Sequence, residues 1–528
     1  MKKYLPYIFI CIFSLVFISR FVVFVATQDV GIEHDSGWYL SVARNLAEKG
    51  IYASSINTIE GSDKKGAFPS IHGRFSVQDE NGYSYFPAGV TVGPGFIVPE
   101  AIILKLFGSG WVQFRIFPLL CFSLLIVLLF TLVYKFGGII GFVLFGIWMW
   151  FYPQIWINQS FEAFSEQVAL LYLMIGLVFI SQKKPSLKSI IFGGLFIGLS
   201  IQTKSLFFLT LPAIAIVDLF LRKKILSTFI LVSSILFPTI IFEFYRYLYL
   251  SRYFGIDGYL AINKDIYLTM KAGGSGLAIL KDGLSFRFIA SKIRVWEHVG
   301  LSAALLGTPL IVSIILKKKS ISRFMIYIVG CFFVFFSWYV LLSQTGWFRH
   351  ALPAVVLGMM IVSIIYSLLI RHLSLKKQNL LLAVSAVCFF LTIYSLISSP
   401  LSIPSFVPTI KELNQMTHLF VNGLQSPYSA PIFSYRDQES VRRATSSISK
   451  NTRLCYDGWL LVAELPPIVN RVIYPKARCS KNDIMVVGPY QRGPLSTENG
   501  RAGVDLLIQS VCDKTIYSGA TYLLCSIR

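Results

Sequence analysis

Directly after an apolar run from Leu5 to Ala26, the chain reads Glu33-His34-Asp35-Ser36-Gly37-Trp38-Tyr39. The apolar run has the length needed to cross the hydrocarbon core of a bilayer, which takes about 20 residues. It is longer than the apolar part of a signal peptide, and no small-residue cleavage site ends it, so we expect a retained first membrane span. Asp35 is therefore predicted to stand a few residues beyond the end of that span.

A helix is predicted directly after Asp35, because apolar residues recur on one face and polar residues lie largely on the other. The apolar positions are Tyr39, Val42, Ala43 and Leu46. We expect this amphipathic helix to lie on the outer leaflet. Two interpretations of its start are open. Either Asp35 or Ser36 only caps the helix, or the Asp35 carboxylate serves as a base where a lipid-linked substrate presents its phosphate.

The composition places the whole chain in a membrane. Of its 528 residues, 55% are hydrophobic and only 14% are charged, against about 25% charged in soluble domains. Soluble enzymes, DNA-binding modules and disordered scaffolds are thereby excluded. The net charge of +22 does not indicate a nucleic-acid partner, because the basic residues lie in short clusters between apolar runs, as cytoplasmic loops do.

Four basic clusters, around Lys183, Arg222, Lys317 and Arg371, are assigned to the cytoplasm. They delimit eleven predicted spans, at residues 5–26, 114–135, 138–153, 166–181, 188–203, 205–220, 226–248, 300–316, 323–343, 351–370 and 379–398. An odd number of spans puts the two termini on opposite sides of the membrane. With the basic clusters in the cytoplasm, the N-terminus is predicted to be cytoplasmic and the C-terminus to lie outside. The apolar stretch 92–107 is predicted to be an interfacial helix, since a crossing there would move every later basic cluster to the outside.

The chain divides into two predicted domains. Residues 1–399 form a transmembrane module that includes a first outer loop, 27–113, with juxtamembrane helices and more acidic than basic residues. Residues 400–528 are too polar for a membrane and are predicted to form a small extracytoplasmic α/β domain, with one of its strands at 506–511. We therefore predict an all-α polytopic membrane protein with a small α/β domain at its C-terminus.

Four cysteines fall in the terminal domain, and an even number outside the cytoplasm favours two disulfides. Four cysteines allow three pairings, and in one of them Cys512 pairs with Cys525 across a hairpin, which leaves Cys455 with Cys479. A zinc site is the alternative, although no Cys-x-x-Cys spacing is present.

Charged residues also mark the outer ends of later spans. Glu166 begins a span, where an acidic residue facing lipid would be unfavourable, so we expect it to face a water-filled cavity. Glu162 precedes it by four residues, which would place both carboxylates on one helical face. Together with Asp35 they suit a divalent cation or a substrate amine. The alternative for Glu166 is a helix-terminal charge favoured by the helix dipole.

Lys204 lies at a tight outer turn, and Arg349 with His350 precedes another span. Arginine offers a fork of donors to a phosphate and lysine a point charge, so the pair suits a polyprenyl phosphate. The alternative is that both side chains extend to outer lipid headgroups. Lys264 lies in a predicted loop, 249–299, that also carries a glycine-rich stretch suited either to a gate or to a plain connector.

These motifs resemble the GT-C superfamily of membrane glycosyltransferases, which includes lipid A aminoarabinose transferases, protein O-mannosyltransferases and oligosaccharyltransferases. Six short features carry the resemblance: Asp35-Ser36 with Tyr39, Ala43 and Leu46; Tyr83-Ser84-Tyr85-Phe86-Pro87 ahead of Gly93-Pro94; Arg115; Ser165-Glu166; Thr203-Lys204; and Arg349-His350-Ala351-Leu352-Pro353. The chain departs from the family pattern at Glu162, where an arginine is common, and at His350, where a tyrosine is usual. The resemblance covers the layout of residues 1–370.

The resemblance implies inverting transfer of one sugar from an undecaprenyl-phosphate-linked donor to an acceptor hydroxyl on the periplasmic face of the bacterial inner membrane. The acceptor would be a glycan such as lipopolysaccharide O-antigen, another lipid or a protein. Asp35 and Glu166 would be catalytic, with a divalent cation between them as an open option. The residues expected to bind substrate are Glu33, Tyr85, Arg115, Glu162, Lys204, Lys264, Arg349 and His350.

Two alternatives belong to other functional classes. A flippase or transporter of a lipid-linked sugar would carry ionisable residues near mid-span and internal pseudo-symmetry, whereas the acids here cluster at the outer membrane edge. A noncatalytic assembly factor of the cell envelope would not need Asp35, Lys204 or Arg349.

Overall fold

The structure, a computed structural model, describes residues 5–27, 29–57, 77–86, 93–151, 156, 160–269, 322–342, 348–372, 434–456, 464–488, 505–506, 508–519 and 521–528. Helices dominate this part of the chain. The main helices are α1 (Leu5–Thr27), α2 (His34–Lys49), α3 (Pro94–Phe107), α4 (Gln113–Phe151), α5 (Glu166–Ile180), α6 (Leu187–Thr203), α7 (Thr210–Arg222), α8 (Ile225–Thr269), α9 (Arg323–Ser337), α10 (Phe348–His372) and α11 (Tyr435–Ser446).

Long apolar helices confirm a multi-pass membrane protein. Within the described ranges, five helices are long and apolar enough to cross a bilayer, and α5, α6 and α9 are shorter apolar helices. These helices lie where spans were predicted. The other two predicted spans, 300–316 and 379–398, lie outside the described residues.

Helix α4 contains two predicted spans. Its backbone leaves the helical region at Gly138, where φ is +64°, a conformation that glycine adopts without steric cost. The ring of Phe130, before the kink, lies 5.4 Å from Phe142 and 5.2 Å from Phe145 (centroid distances), both after it. The two halves therefore pack against each other as a hairpin, as two consecutive spans must.

The predicted loop at 249–299 is wrong for its first part. Helix α8 continues through Thr269 with one kink at Gly255, where φ is +72°. The segment is helical because its aromatic residues pack in a cluster, in which Tyr249 stacks on Tyr85 and Phe254 contacts the same ring. The glycine-rich stretch itself lies outside the described residues.

Helix α3 is present where the interfacial helix was predicted. It begins with proline at its first turn, a position where no backbone N–H is needed. Gly93 precedes it and donates its N–H to the Thr203 carbonyl, 3.2 Å away. A Cβ at Gly93 would collide with the Gln202 carbonyl oxygen, so glycine permits the close approach that places α3 against the outer end of α6.

Two small sheets lie outside the helical module. The first outer loop carries strands β1 (Ala53–Ser54), β2 (Val77–Gln78) and β3 (Ser84–Tyr85), antiparallel in the order β1-β3-β2. The terminal region carries β4 (Leu454–Tyr456), β5 (Ile473–Pro475), β6 (Ile484–Val487), β7 (Cys512–Ser518) and β8 (Leu523–Ile527), in the order β5-β4-β6-β8-β7. Strand β4 runs parallel to β5 and β6, and β8 runs antiparallel to β6 and β7.

The terminal region is thus the predicted α/β fold, with one error in its elements. The strand predicted at 506–511 is wrong: the described residues there are helical, and the strand begins only at Cys512. Ile508 and Val511, three residues apart, pack into the core of the terminal domain from this helical turn, whereas Leu506 is exposed. Disulfides join Cys455 to Cys479 and Cys512 to Cys525, the pairing that the sequence favoured. Because their sulfurs are bonded to each other, these cysteines offer no thiolates to zinc.

The terminal domain docks on the first outer loop through main-chain hydrogen bonds. Ile473 donates its N–H to the Ser55 carbonyl and accepts from the Asn57 N–H, both at 2.9 Å. The Tyr456 hydroxyl donates to the Asn57 carbonyl at 2.9 Å. This docking covers the helix that carries Asp35.

Candidate active site

Helix α2 begins with an acidic cap. The Glu33 side chain accepts a hydrogen bond from the Asp35 N–H at 2.7 Å, and Glu33 itself has extended backbone angles. Glu33 is therefore the N-cap, and the interpretation that Asp35 or Ser36 caps the helix is wrong. Asp35 lies in the first turn and is only 3% exposed. A carboxylate in this position is stabilised by the positive end of the helix dipole.

Helix α2 is enclosed rather than lying on the membrane with one polar face in water. Residues His34 to Ala43 are buried. Asn45, expected on the polar face, is also buried, and its amide donates to the Ala53 carbonyl and the Ser55 hydroxyl, both at 2.8 Å. The prediction of an amphipathic surface helix is wrong because β1 and the residue after it cover Asn45, while the terminal domain contacts the neighbouring Arg44. Local periodicity reveals neither contact.

Glu162 joins the start of α2 from the segment between α4 and α5. Its carboxylate is buried and accepts the Glu33 N–H at 3.3 Å. Burial raises the pKa of Glu162, and the nearby Arg115 guanidinium and the Glu33 N–H oppose that rise. The predicted helical face shared with Glu166 is wrong, because the chain bends at Glu162 and α5 begins only at Glu166.

Arg115 supports the same segment from α4. Its guanidinium donates to the carbonyls of Val30 and Gly31, the second at 3.4 Å. It also lies 5.7 Å from the centre of the Phe161 ring. Arg115 therefore holds the chain that leads into α2, instead of standing open to a substrate as the sequence suggested.

Glu166 and Lys204 form a buried ion pair. The Lys204 ammonium lies 3.0 Å from Glu166 Oε1, and the two residues are 5% and 1% exposed. Glu166 begins α5, and Lys204 ends α6 as its C-cap. Neither residue extends to lipid headgroups or stands as an isolated helix-end charge. The sequence predicted Glu166 as a cavity residue and Lys204 as a phosphate-binding residue, but only the packing of α5 on α6 makes them partners.

The remaining predicted residues are more scattered. Tyr85 is buried on β3, and its hydroxyl donates to Asp79 at 3.3 Å. His350 lies in the first turn of α10 with its ring 6.0 Å from Trp338. The Arg349 side chain lies outside the described residues. Lys264 is exposed on α8 rather than in a loop, and within the described ranges no contact joins it to the Asp35 cluster.

A divalent cation between Asp35 and Glu166 finds little support in this arrangement. The Glu166 charge is already balanced by Lys204. In the described part of the chain, the only group of three ligand-type side chains close enough to hold a metal is Cys455, Cys479 and Asp483, whose two sulfurs form a disulfide. We therefore derive no step through a metal.

Sequence reasoning missed the residues that hold the start of α2 from the terminal domain. Glu464 Oε2 lies 3.2 Å from His34 Nδ1, and the Tyr522 hydroxyl donates to Glu464 Oε1 at 2.7 Å. Gln438 pairs with the main chain at Ile32. No local signal marks these residues, because each lies more than 400 positions from the segment that it supports.

The comparisons with known proteins agree with this architecture. No family model and no curated protein matches the chain. Among solved structures, ArnT from Cupriavidus metallidurans bound to undecaprenyl phosphate matches with a TM-score of 0.58 and 12% identity, over 98% of each chain. The archaeal oligosaccharyltransferase AglB from Archaeoglobus fulgidus, in complex with an inhibitory peptide and a dolichol-phosphate, matches with a TM-score of 0.54 and 11% identity, over 100% of this chain and 75% of AglB. Identities this low show the fold alone, and the fold that this chain shares with ArnT and AglB is the one that its short motifs predicted.

Proposed function

We propose that this protein is a membrane glycosyltransferase that moves one sugar from a polyprenyl-phosphate donor to an acceptor hydroxyl on the outer face of the cytoplasmic membrane. The observation that carries the proposal is the start of α2, where Asp35 lies buried in the first turn beneath the docked terminal domain. The two matching solved structures add support, since one holds undecaprenyl phosphate and the other a dolichol-phosphate.

In the proposed reaction, Asp35 acts on the acceptor. Its carboxylate orients the acceptor hydroxyl and takes its proton as the hydroxyl oxygen attacks the anomeric carbon. The bond between that carbon and the phosphate oxygen breaks in the same displacement, so the configuration inverts and the lipid phosphate leaves with the electron pair. Enclosure of Asp35 keeps water away from the reacting carbon, which suppresses hydrolysis of the donor.

Lys204 and Arg349 are the proposed phosphate-binding residues. An ammonium carries three donors, so Lys204 can bind a phosphate oxygen while it remains beside Glu166. Glu166 thereby becomes a positioning residue for Lys204, a narrower role than the cavity acid that the sequence suggested. Arg349 begins α10, and its guanidinium would add two parallel donors to the leaving phosphate.

The finer assignments remain part of this proposal. We propose undecaprenyl phosphate as the lipid and a cell-surface glycan such as lipopolysaccharide O-antigen as the acceptor. We also propose the bacterial inner membrane as the location, with the N-terminus cytoplasmic and the C-terminus periplasmic. The domain boundary near residue 400 lies outside the described residues.

The deciding experiment measures sugar transfer by purified wild type and Asp35→Asn from a panel of polyprenyl-phosphate sugars, at matched expression and melting temperature. Loss of the general base should lower the rate by about 10²–10⁴. The loss of one charge near the helix dipole should cost only about 0.3–2 kcal/mol of stability. Glu48→Gln is the matched control, because Glu48 lies in the exposed last turn of the same helix and pairs with Arg44.

Two outcomes would overturn the proposal. Equal rates for wild type and Asp35→Asn would remove Asp35 from the mechanism. Movement of a fluorescent polyprenyl-phosphate sugar across proteoliposomes, with no transfer product, would identify the protein as a flippase instead.

A further inference from the structure

A chain of buried polar side chains joins the terminal domain to the residues just ahead of Asp35. It begins at Tyr522, which directly precedes strand β8 of the terminal sheet and whose hydroxyl donates to Glu464 Oε1 at 2.7 Å. The other oxygen of Glu464 lies 3.2 Å from His34 Nδ1. His34 is the first residue of α2 and the direct neighbour of Asp35 in the chain.

A second connection of this kind reaches the main chain itself. The Gln438 amide oxygen accepts the Ile32 N–H at 2.8 Å, and its nitrogen donates to the Ile32 carbonyl at 2.9 Å. The same nitrogen lies 3.4 Å from the Tyr522 hydroxyl. One side chain therefore occupies both hydrogen-bonding groups of a residue three positions before Asp35, as a neighbouring β-strand would.

The burial of this network makes its geometry strict. Gln438, Glu464 and Tyr522 are each 0% exposed, and His34 is 7% exposed. Polar groups removed from water need their hydrogen-bond partners, since an unsatisfied one costs about 1–3 kcal/mol. Water cannot replace a lost contact at this depth, so the segment 32–34 has one favoured position relative to the terminal sheet.

We propose that Gln438, Glu464 and Tyr522 are positioning residues of the transferase, through which the terminal domain sets the direction of the Asp35 carboxylate. The proposal rests on the proposed catalytic function of Asp35. Misplacement of a reacting group by about 1 Å can cost about 10²-fold in rate, so a support three residues away is close enough to matter.

Other contacts show that docking alone does not need this network. The terminal domain is also attached through Tyr456 to Asn57 and through Tyr474 to Asn81, both at 2.9 Å. Those contacts end on the first outer loop, away from the start of α2. Attachment and positioning therefore use different residues and can be separated by mutation.

Two tyrosines provide a matched pair of variants. Tyr522→Phe and Tyr456→Phe each delete one buried hydroxyl of the terminal domain, but only the first touches Glu464. In the transfer assay with a saturating polyprenyl-phosphate sugar, we expect kcat of Tyr522→Phe to fall about 10- to 100-fold, with KM for the donor unchanged. Tyr456→Phe should keep the wild-type kcat, and both proteins should melt within a few degrees of each other.

Hydrogen exchange supplies a readout that does not depend on activity. Loss of one hydrogen bond worth about 1 kcal/mol should speed exchange of the amides at 30–37 by roughly fivefold in Tyr522→Phe and leave Tyr456→Phe at the wild-type rate. Gln438→Met, which keeps the shape of the side chain, should speed exchange at least as much as Tyr522→Phe, because it deletes both hydrogen bonds to Ile32. If that variant fails to fold, the tyrosine pair still decides.

The outcomes separate this inference from the proposed function. A wild type that transfers no sugar would refute the proposed function, while faster exchange in Tyr522→Phe alone would still support the fixing of this segment. If hydrogen exchange of the amides at 30–37 is unchanged in Tyr522→Phe, the inference is overturned, whatever the kcat of that variant. Equal losses of kcat in the two tyrosine variants would overturn it as well, because the network would then only help to dock the domain.

Discussion

Replacement of Glu166 with glutamine removes the negative charge that lies 3.0 Å from the Lys204 ammonium. At that distance the attraction between two unit charges is about 5 kcal/mol at an effective dielectric constant of about 20. Desolvation of two buried ions opposes the attraction by several kcal/mol for each ion, so the pair as a whole contributes little to stability. Removal of one partner is different, because it leaves the other charge buried.

The expected cost of either single change, Glu166→Gln or Lys204→Met, is therefore about 3–5 kcal/mol. The double variant removes both charges and should recover much of the stability. Sugar transfer should not recover with it, because the proposed phosphate ligand Lys204 is missing. The double variant is thus expected to regain stability without regaining sugar transfer.

The measurement is thermal unfolding of the four purified proteins in one detergent, together with sugar transfer by each. The midpoint of the double variant should lie between wild type and the less stable single variant. The less buried ion pair of Arg44 with Glu48 on α2 supplies the control, and Glu48→Gln, which keeps Arg44 in place, should cost about 1 kcal/mol or less. If the double variant loses the sum of the two single losses, Glu166 and Lys204 are not coupled and the role given to Glu166 is wrong.

Three further predictions concern other parts of the chain. A reporter that is active only outside the cytoplasm should work when fused after Arg528, since eleven spans place the C-terminus there; activity of a cytoplasm-only reporter would contradict that topology. Alkylation without reduction, followed by intact-mass analysis, should leave the four terminal-domain cysteines unlabelled because they form two disulfides, and four labelled thiols would contradict that pairing. Arg349→Ala should weaken donor binding, and Arg349→Lys should recover only part of the affinity, because lysine lacks the planar fork of donors. Full affinity of Arg349→Lys in a binding titration with undecaprenyl phosphate would contradict a forked contact.

Local patterns in the sequence were sufficient for the described helices of the membrane module, apart from the continuation of α8 to Thr269. An apolar run of span length has few alternatives to a transmembrane helix, because backbone polar groups in lipid must be satisfied within the segment. The paired helices of α4 and the proline start of α3 followed from such signals. The disulfide pairing was favoured by the short separation of Cys512 from Cys525. The position of Asp35 beyond α1 was also local information.

Contacts between distant segments decided the rest. Burial of α2, the pairing of Glu166 with Lys204 and the support of His34 by Glu464 depend on surfaces that meet only after folding. His34 and Glu464 are 430 positions apart, and neither carries a local mark of the other. Likewise, only the three-dimensional structure showed that Glu33 is the cap, because Glu33, Asp35 and Ser36 all offer an oxygen near the first free N–H groups of α2. A sequence therefore determines which segments become helices, while the packing of those helices determines which charges become partners.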